Sequence, residues 1–253
     1  KTFWPFILFS KKRYIGNKYE FDLDKYKQTS MGVVSKRRDN ADIVKHVYNG
    51  VTDIIMNEKN IPKSIDFLKS TLLDLLNGKF KLDMLIITKS LRGYYKNPDQ
   101  IAHKVLAERI GERDPGNKPA SNDRIPYAYV EVKEKKGEKV LQSDRIEHPD
   151  YIREKKLKPD YKFYITNQIM KPVGQIFALI VEDLEGYNKP EGYFERKLKS
   201  LTSERGIEKA KNKITQLRHE EASELLFSEV IRIANNRRSK SREITDFFKI
   251  KKK

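Results

Sequence analysis

Three consecutive cations, Lys11, Lys12 and Arg13, stand between an apolar run and Tyr14 near the start of the sequence. Such side chains pair with phosphate or carboxylate oxygens, although a run of charges is more often a solvated surface. The surrounding residues are strand-like, and a strand sends alternate side chains to opposite faces. The pattern therefore predicts Lys11 and Arg13 on one face of a strand, and Lys12 and Tyr14 on the other.

The whole chain is strongly basic. Its 253 residues include 53 Lys and Arg against 36 Asp and Glu, a net charge of +17. This excess favours a polyanionic partner, and nucleic acid is favoured over an anionic membrane. The alternative is a generally basic surface that is simply solvated. Cations interleaved with aromatic residues suit a track for a duplex backbone or a groove that stacks a single strand. Two further clusters fit this description: Lys36 with Arg37 and Arg38, and Lys89 with Arg92, Tyr94, Tyr95 and Lys96.

Catalytic chemistry is weakly indicated. Asp22 and Asp24 would share one face of a strand and could hold Mg²⁺. Because Lys25 and Lys27 follow at once, we interpret the pair as the solvated end of a hairpin. The sequence has no cysteine, no glycine-rich phosphate loop and no histidine pair at metal-ligand spacing. We therefore predict no catalytic residue and no metal ligand in this chain.

Membrane insertion and secretion are not indicated. The longest apolar run, residues 3–9, is far shorter than the ~20 residues of a membrane-spanning helix. It also lacks the cleavage region of a signal peptide. We expect an intracellular, reducing compartment, which the absence of cysteine fits.

The elements that must position these residues are strands first and mostly helices afterwards, which predicts an α+β fold. Apolar spacing and the positions of Gly and Pro set the expected boundaries. We expect Pro98 just inside the start of one helix and Gly111 at its end, and a kink at Pro172 in another. Strands are expected at 3–9, 12–21, 80–91 and 123–134, a hairpin tip at 133–143, helices at 41–57, 65–76, 97–114, 148–158, 160–184 and 207–236, and a mobile connection at 187–206.

Six segments, in order, resemble family B DNA polymerases. FILFSKKRYIG resembles the segment that follows the catalytic aspartates of the palm, and VSKRRDNADIVKHV resembles the Arg-Arg-Asp-Asn segment that closes the palm in delta-type members. LIITKSL resembles the thumb strand that ends in Thr-Lys. AHKVLAERIGERDPGNKP, NDRIPYAYVE and PDYKFYITNQIMKPVGQIF follow in the order of the thumb. The resemblance covers residues 3–185 and is strongest towards the polymerases of large DNA viruses.

The resemblance implies an architecture. Residues 1–60 would be the C-terminal palm strands and helix, and residues 61–236 a mostly helical thumb with a small β element. The composition of residues 237–253 separately predicts a flexible basic tail. The metal-binding Tyr-Gly-Asp-Thr-Asp-Ser turn and the nucleotide-binding motifs do not occur in the sequence. Mg²⁺ would therefore be held by the complete polymerase.

The resemblance also implies contacts with DNA. Lys11 to Tyr14 match the motif that touches the minor groove and backbone of the newly formed primer–template, and Lys89 matches a thumb lysine on the primer-side backbone. A minor-groove contact would sense the shape of a correct base pair without reading sequence. Arg124 and Tyr127 match a thumb loop near the duplex, where holding the loop is an equal alternative. The predicted DNA-binding residues are Lys11, Lys12, Arg13, Tyr14, Lys36, Arg37, Arg38, Lys89, Arg92, Arg124 and Tyr127.

The tail SREITDFFKIKKK resembles the peptide by which replication proteins dock on a sliding clamp. Ile244, Phe247 and Phe248 would fill a hydrophobic pocket of the clamp, and Ser241 stands where the usual glutamine would be. The alternative is a tail that packs back on its own thumb.

Together these observations predict the part of a replicative DNA polymerase that grips primer–template DNA and needs the remaining polymerase for nucleotidyl transfer. We expect the chain to be a fragment, one piece of a split polymerase or a processed half, acting in a host nucleus or a viral replication site. The alternative is a stand-alone, non-catalytic DNA-binding module derived from a thumb. A membrane-surface protein is a weaker alternative, since no strongly amphipathic basic helix is expected.

Overall fold

Two small antiparallel sheets and eight α-helices form the part of the chain that the computed structural model describes, residues 2–21, 24–132 and 140–239. The predicted α+β class is confirmed. No helix in these ranges has the length and apolar character needed to cross a bilayer. Asp22, most of the predicted hairpin tip and the clamp-like peptide lie outside the described residues.

The first sheet contains β1 (Thr2–Ser10), β2 (Arg13–Tyr19) and β3 (Lys27–Met31), with β2 in the centre. Ser10 pairs with Arg13, so Lys11 and Lys12 form the turn of a hairpin. The prediction that these lysines alternate along a strand is therefore wrong. Lys12 has a φ of 65°, and a Cβ on Gly32 would lie 2.4 Å from its carbonyl oxygen. A glycine at position 32 is what allows the chain to pass this close to the turn.

Two helices follow, as the apolar spacing predicts. Helix α1 (Asp42–Asp53) continues into a π-helical turn over Ile54–Glu58, and α2 (Ile61–Leu76) begins after Asn60. The Asn60 side chain accepts a hydrogen bond of 2.9 Å from the Lys63 amide, which satisfies one of the free N–H groups at the helix start. The buried faces of both helices belong to the hydrophobic core.

The second sheet is formed by β4 (Ile87–Ser90), β5 (Arg124–Tyr129) and β6 (Ile146–Glu147). Helix α3 (Ala102–Arg113) lies between β4 and β5 in the chain. Pro98 belongs to a separate 3₁₀ turn that precedes α3, and Gly111 lies inside the helix rather than at its end. The prediction for Gly111 was wrong because a glycine near a helix end does not always terminate it. The prediction for Pro98 was wrong because the chain leaves the helical conformation at Ile101, between the 3₁₀ turn and α3.

Helix α4 (Pro149–Lys155) precedes a long irregular helical segment. That segment consists of α5 (Tyr161–Phe163), a π-helical stretch over Tyr164–Ile169 and α6 (Met170–Phe177). The predicted interruption exists, but it begins before Pro172, with a second departure at Ile180.

The last two helices correct the predicted organisation of the C-terminal part. Residues 193–205 of the predicted mobile connection form α7 (Tyr193–Arg205), and α8 (Ile207–Ser239) extends past the predicted tail boundary at residue 237. Arg237 donates hydrogen bonds of 2.8 and 2.9 Å to Leu76 O and Asn77 Oδ1 at the end of α2. The composition of this segment shows only that it is polar and basic, so it could not predict these long-range hydrogen bonds.

One continuous cluster of buried side chains runs from Ile15 in β2 to Val230 in α8. It includes residues on both sides of position 60, the predicted boundary between the palm and the thumb. Tyr164, which is fully buried, joins several parts of this core. Its hydroxyl donates to Leu85 O over 2.6 Å and accepts from the Tyr129 amide over 2.9 Å.

Replacing Tyr164 by Phe should lower the free energy of unfolding by about 2–4 kcal/mol, because both backbone groups would stay buried without a partner. The change is measurable as a lower midpoint of urea unfolding. Tyr161→Phe is the matched control, since no hydrogen bond of its hydroxyl is seen in the described residues, and it should cost less than about 0.5 kcal/mol. Equal losses in the two variants would contradict the assigned role of Tyr164.

Candidate nucleic-acid interface

A pocket of about 530 Å³ opens where the loop before α1, the paired strands β4 and β5, and the start of α3 meet. We call it the basic pocket. Its wall combines residues that are up to 86 positions apart in the sequence, from Arg38 to Arg124. It is lined by Arg38, Asp39, Thr88, Lys89, Ser90, Arg92, Tyr95, Ile101, His103 and Arg124.

Four of the predicted DNA-binding residues meet in this pocket: Arg38, Lys89, Arg92 and Arg124. The β4–β5 ladder positions two of them, because Lys89 lies opposite Ile125 and Ser90 opposite Arg124. All four are exposed, and none forms an ion pair within the described part of the chain. Arg124 makes one long contact, 3.5 Å from Nη2 to Thr88 O. The four cations are therefore free to bind an anion from outside.

Asp39 is the one carboxylate among the described residues that line the pocket. Arg37 holds it in a bidentate contact, with Nε–Oδ1 and Nη2–Oδ2 distances of 3.0 and 2.7 Å. These hydrogen bonds lower the pKa of Asp39 and raise the pKa of Arg37. The predicted DNA-binding residue Arg37 is therefore largely committed to Asp39, while its neighbours Lys36 and Arg38 stay exposed.

The sequence placed Tyr95 in a cluster of cations and aromatic residues, but it did not indicate that His103 belongs to this site. The Tyr95 hydroxyl accepts a hydrogen bond of 2.8 Å from the Arg92 amide and lies 3.1 Å from His103 Nε2. Burial lowers the pKa of His103, and the nearby charges of Lys89 and Arg92 lower it further. The pair fixes the backbone of Arg92 at the rim of the pocket. Only the tertiary fold brings His103, in the first turn of α3, to a tyrosine of the preceding loop.

The hairpin residues Lys11 to Tyr14 divide between three surroundings. Lys11 and Lys12 are exposed at the turn. Arg13 points inward, where Nη2 donates to Gln175 Oε1 of α6 over 2.7 Å and the guanidinium lies 6.0 Å from the Phe9 ring. Tyr14 is half-buried on the opposite sheet face, with its ring 5.4 Å from that of Phe6. Lys11 and Lys12 are thus the members of this motif that are open to a large ligand.

Tyr127 is buried, with 3% of its surface exposed. It pairs with Ile87 behind the basic pocket, and burial raises its pKa strongly. Its side chain supports the strand pair and is not open to DNA. The structure fits the other role that the sequence allows for Tyr127, in which its side chain holds the loop in place and does not contact DNA.

The arrangement is suited to binding anions. No group of three or more potential metal ligands occurs in the ranges that the structure describes. Four converging cations beside a histidine match the charge and the hydrogen-bond acceptors of a phosphate group.

Comparison with known proteins identifies the family. The family model for "DNA polymerase family B" matches residues 1–180. The chain belongs to DNA polymerase family B. It is 54% identical to a "DNA polymerase" of Pyramimonas orientalis virus, over 99% of this chain and 21% of the relative. It is also 48% identical to a "DNA polymerase" of Acanthamoeba polyphaga mimivirus, over 72% of this chain and 11% of the relative.

More distant family B members show the same limited coverage. The "DNA polymerase delta catalytic subunit" of Candida albicans is 35% identical over 72% of this chain and 17% of the relative. The family B polymerase structure from Pyrobaculum calidifontis aligns with a TM-score of 0.50 and 21% identity, over 74% of this chain and 22% of that one, which supports the fold. The chain thus spans about a fifth or less of the curated family B relatives that it matches.

The lowered pKa of His103 predicts a pH dependence of stability. The folded chain holds this ring neutral, whereas the unfolded chain protonates it near the ordinary histidine pKa of about 6.5. Stability should therefore fall as the pH drops from 7.5 through 6.5, and the fall should be smaller in His103→Gln. Thermal midpoints of both proteins between pH 7.5 and 5.5 measure the difference, and superimposable pH profiles would contradict it.

Proposed function

We propose that this chain is the part of a family B DNA-directed DNA polymerase that grips primer–template DNA during replication. The observation that carries the proposal is the convergence of Arg38, Lys89, Arg92 and Arg124 on one open pocket. A backbone phosphate is the ligand that such a set of cations recognises best. The turn lysines Lys11 and Lys12 would supply further contacts with the DNA, and Lys36 another.

Catalysis is assigned to the rest of the polymerase. We propose that the carboxylates that hold Mg²⁺ lie in other domains, because the sequence lacks the Tyr-Gly-Asp-Thr-Asp-Ser turn. Two-metal nucleotidyl transfer needs those carboxylates to align the primer hydroxyl and the triphosphate. The chain alone would bind DNA without extending a primer, and its partners would be the exonuclease, palm and fingers regions. The viral relatives favour a viral replication site as the place of action.

Removing two pocket cations should weaken DNA binding without changing sequence preference. We expect Arg38→Gln with Lys89→Gln to reduce the dependence of log K on log salt by about 2, roughly one unit for each lost phosphate contact. Fluorescence anisotropy with a duplex that carries a recessed primer end, at several salt concentrations, measures this slope.

The matched control is Lys197→Gln with Lys199→Gln. Both residues are exposed on α7 and neither lines the basic pocket, so the variant changes the net charge equally and should keep the slope. The same slope in the pocket variant and the wild type would overturn the proposed site. Equal affinity for a recessed primer end and a blunt duplex would favour the stand-alone binding module over the polymerase.

We also propose that the C-terminal peptide docks on a sliding clamp. Ser241, Ile244, Phe247 and Phe248 would form its contact surface. Phe247→Ala with Phe248→Ala should abolish clamp binding, because an exposed aromatic pair supplies most of the apolar contact in such peptides. A pull-down with the clamp measures this, with the DNA affinity of the same variant as the control. Retained clamp binding would exclude this role for the peptide.

A further inference from the structure

A chain of hydrogen bonds runs behind the cations of the basic pocket. The Tyr95 hydroxyl lies 2.8 Å from the Arg92 amide nitrogen and 3.1 Å from His103 Nε2. The amide can only donate, so the Tyr95 oxygen accepts that hydrogen bond. The contact with His103 can run in either direction, because the hydroxyl keeps one proton and a second lone pair.

The second nitrogen of the His103 ring sets the direction. Burial and then the charge of Lys89 lower the pKa of His103, whereas a hydrogen bond with the Ser90 backbone raises it. A backbone group that favours the protonated ring is a carbonyl oxygen that accepts from a ring N–H. Since Nε2 faces Tyr95, that N–H is on Nδ1. Nε2 of the neutral ring is therefore bare and accepts the hydroxyl proton of Tyr95.

This arrangement occupies a donor that the pocket could use for a ligand. Tyr95 and His103 both line the pocket, and both residues are only half-buried. Protonation of His103 would reverse their contact, because Nε2–H then donates to the Tyr95 oxygen. The hydroxyl proton is thereby released from the ring and can turn to a phosphate oxygen in the pocket.

The charges that face His103 decide when the ring can take up a proton. They come from the loop before α1, from β4 and the loop after it, and from β5. These groups are Arg38, Asp39, Lys89, Arg92 and Arg124. Asp39 is held by Arg37, which leaves a net positive charge around the ring. A phosphate within about 4–6 Å would favour the protonated ring instead.

We propose that a backbone phosphate enters the basic pocket together with one proton from water, which His103 takes up, and that the Tyr95 hydroxyl then donates to the phosphate. This proposal rests on the proposed function, which places a DNA phosphate in this pocket. It makes Tyr95 a phosphate-binding residue and His103 the residue that directs its hydroxyl. Falling pH should therefore tighten DNA binding while it lowers the stability of the chain without DNA.

Nitrogen NMR of the imidazole rings tests the proton directly. The chain has four histidines, and the spectrum of His103→Gln identifies the signals of His103. At pH 7.5 and without DNA, we expect the tautomer that carries its proton on Nδ1. On saturation with a duplex that has a recessed primer end, the midpoint of the His103 titration should rise by about 1 pH unit. A proton on Nε2 without DNA, or a midpoint that DNA leaves unchanged or lowers, would overturn the proposal.

DNA affinity at two pH values measures the linked proton. By fluorescence anisotropy at constant salt, the wild type should bind the same duplex about threefold more tightly at pH 6.0 than at pH 7.5. His103→Gln should lose this gain. The matched control is His46→Gln, which should keep it, because His46 is exposed on α1 and does not line the pocket. Equal gains in the wild type and His103→Gln would contradict the uptake of a proton at His103.

Tyr95→Phe separates a ligand from a loop support. If the hydroxyl donates to the phosphate only when His103 is protonated, the ratio of wild-type to Tyr95→Phe affinity should widen as the pH falls. A constant ratio would mean that Tyr95 only holds the loop, and it would overturn the role of its hydroxyl. Circular dichroism at each pH checks that the variants are folded, and the NMR measurement on the wild type needs no variant of Tyr95.

The outcomes distinguish this proposal from the proposed function. Salt-dependent DNA binding without any change at His103 overturns the proton link and leaves the proposed function in place. An unchanged salt slope in Arg38→Gln with Lys89→Gln removes the phosphate from the pocket and overturns the proton link with it. A wild-type chain that binds no DNA overturns both.

Discussion

A single buried hydroxyl fixes the architecture around the basic pocket. The Tyr164 hydroxyl joins the segment before β4, through Leu85 O, to the last residue of β5, through the Tyr129 amide. The Tyr129 ring in turn stacks on Phe163 at a centroid distance of 3.9 Å. The helical segment that contains Tyr164 is thereby fixed relative to β4 and β5, the two longer strands of the second sheet. Since β4 carries Lys89 and β5 carries Arg124, the spacing of the pocket cations follows from this buried connection.

Four cations converge on the basic pocket. Burial, and then the charges of Lys89 and Arg92, lower the pKa of His103, and the like charges of the pocket cations repel one another. Asp39 offsets little of this repulsion, because Arg37 already occupies both of its carboxylate oxygens. A bound phosphate would remove the repulsion at the same time as it gained hydrogen bonds.

The sequence was sufficient for the fold class, the family and most element positions, because hydrophobic periodicity and motif order survive without tertiary information. It also named four of the residues that meet in the basic pocket. It placed the break between the first two strands at residues 10 and 11, one position from the observed turn at Lys11 and Lys12. It did not show that both lysines leave the strand, since a two-residue connection inside a strand-like run barely changes the periodicity. His103 and Arg237 were missed for a related reason. Their roles depend on partners that the fold brings close: Tyr95 for His103, and the end of α2 for Arg237.

Helix α8 lies wholly beyond residue 180, where the family match ends, yet its buried residues belong to the common core. Arg237 bonds to Leu76, which lies 161 residues earlier in the chain. At a synthesis rate of ~5–20 residues per second, α2 would be made about 8–32 s before its partner in α8. The apolar side chains of α2 that α8 covers would lack this cover for the whole interval, and those of α6 only from the time residues 170–177 are made. Completion of the core must therefore wait for α8, and the folding unit is larger than residues 1–180, which the family model matches.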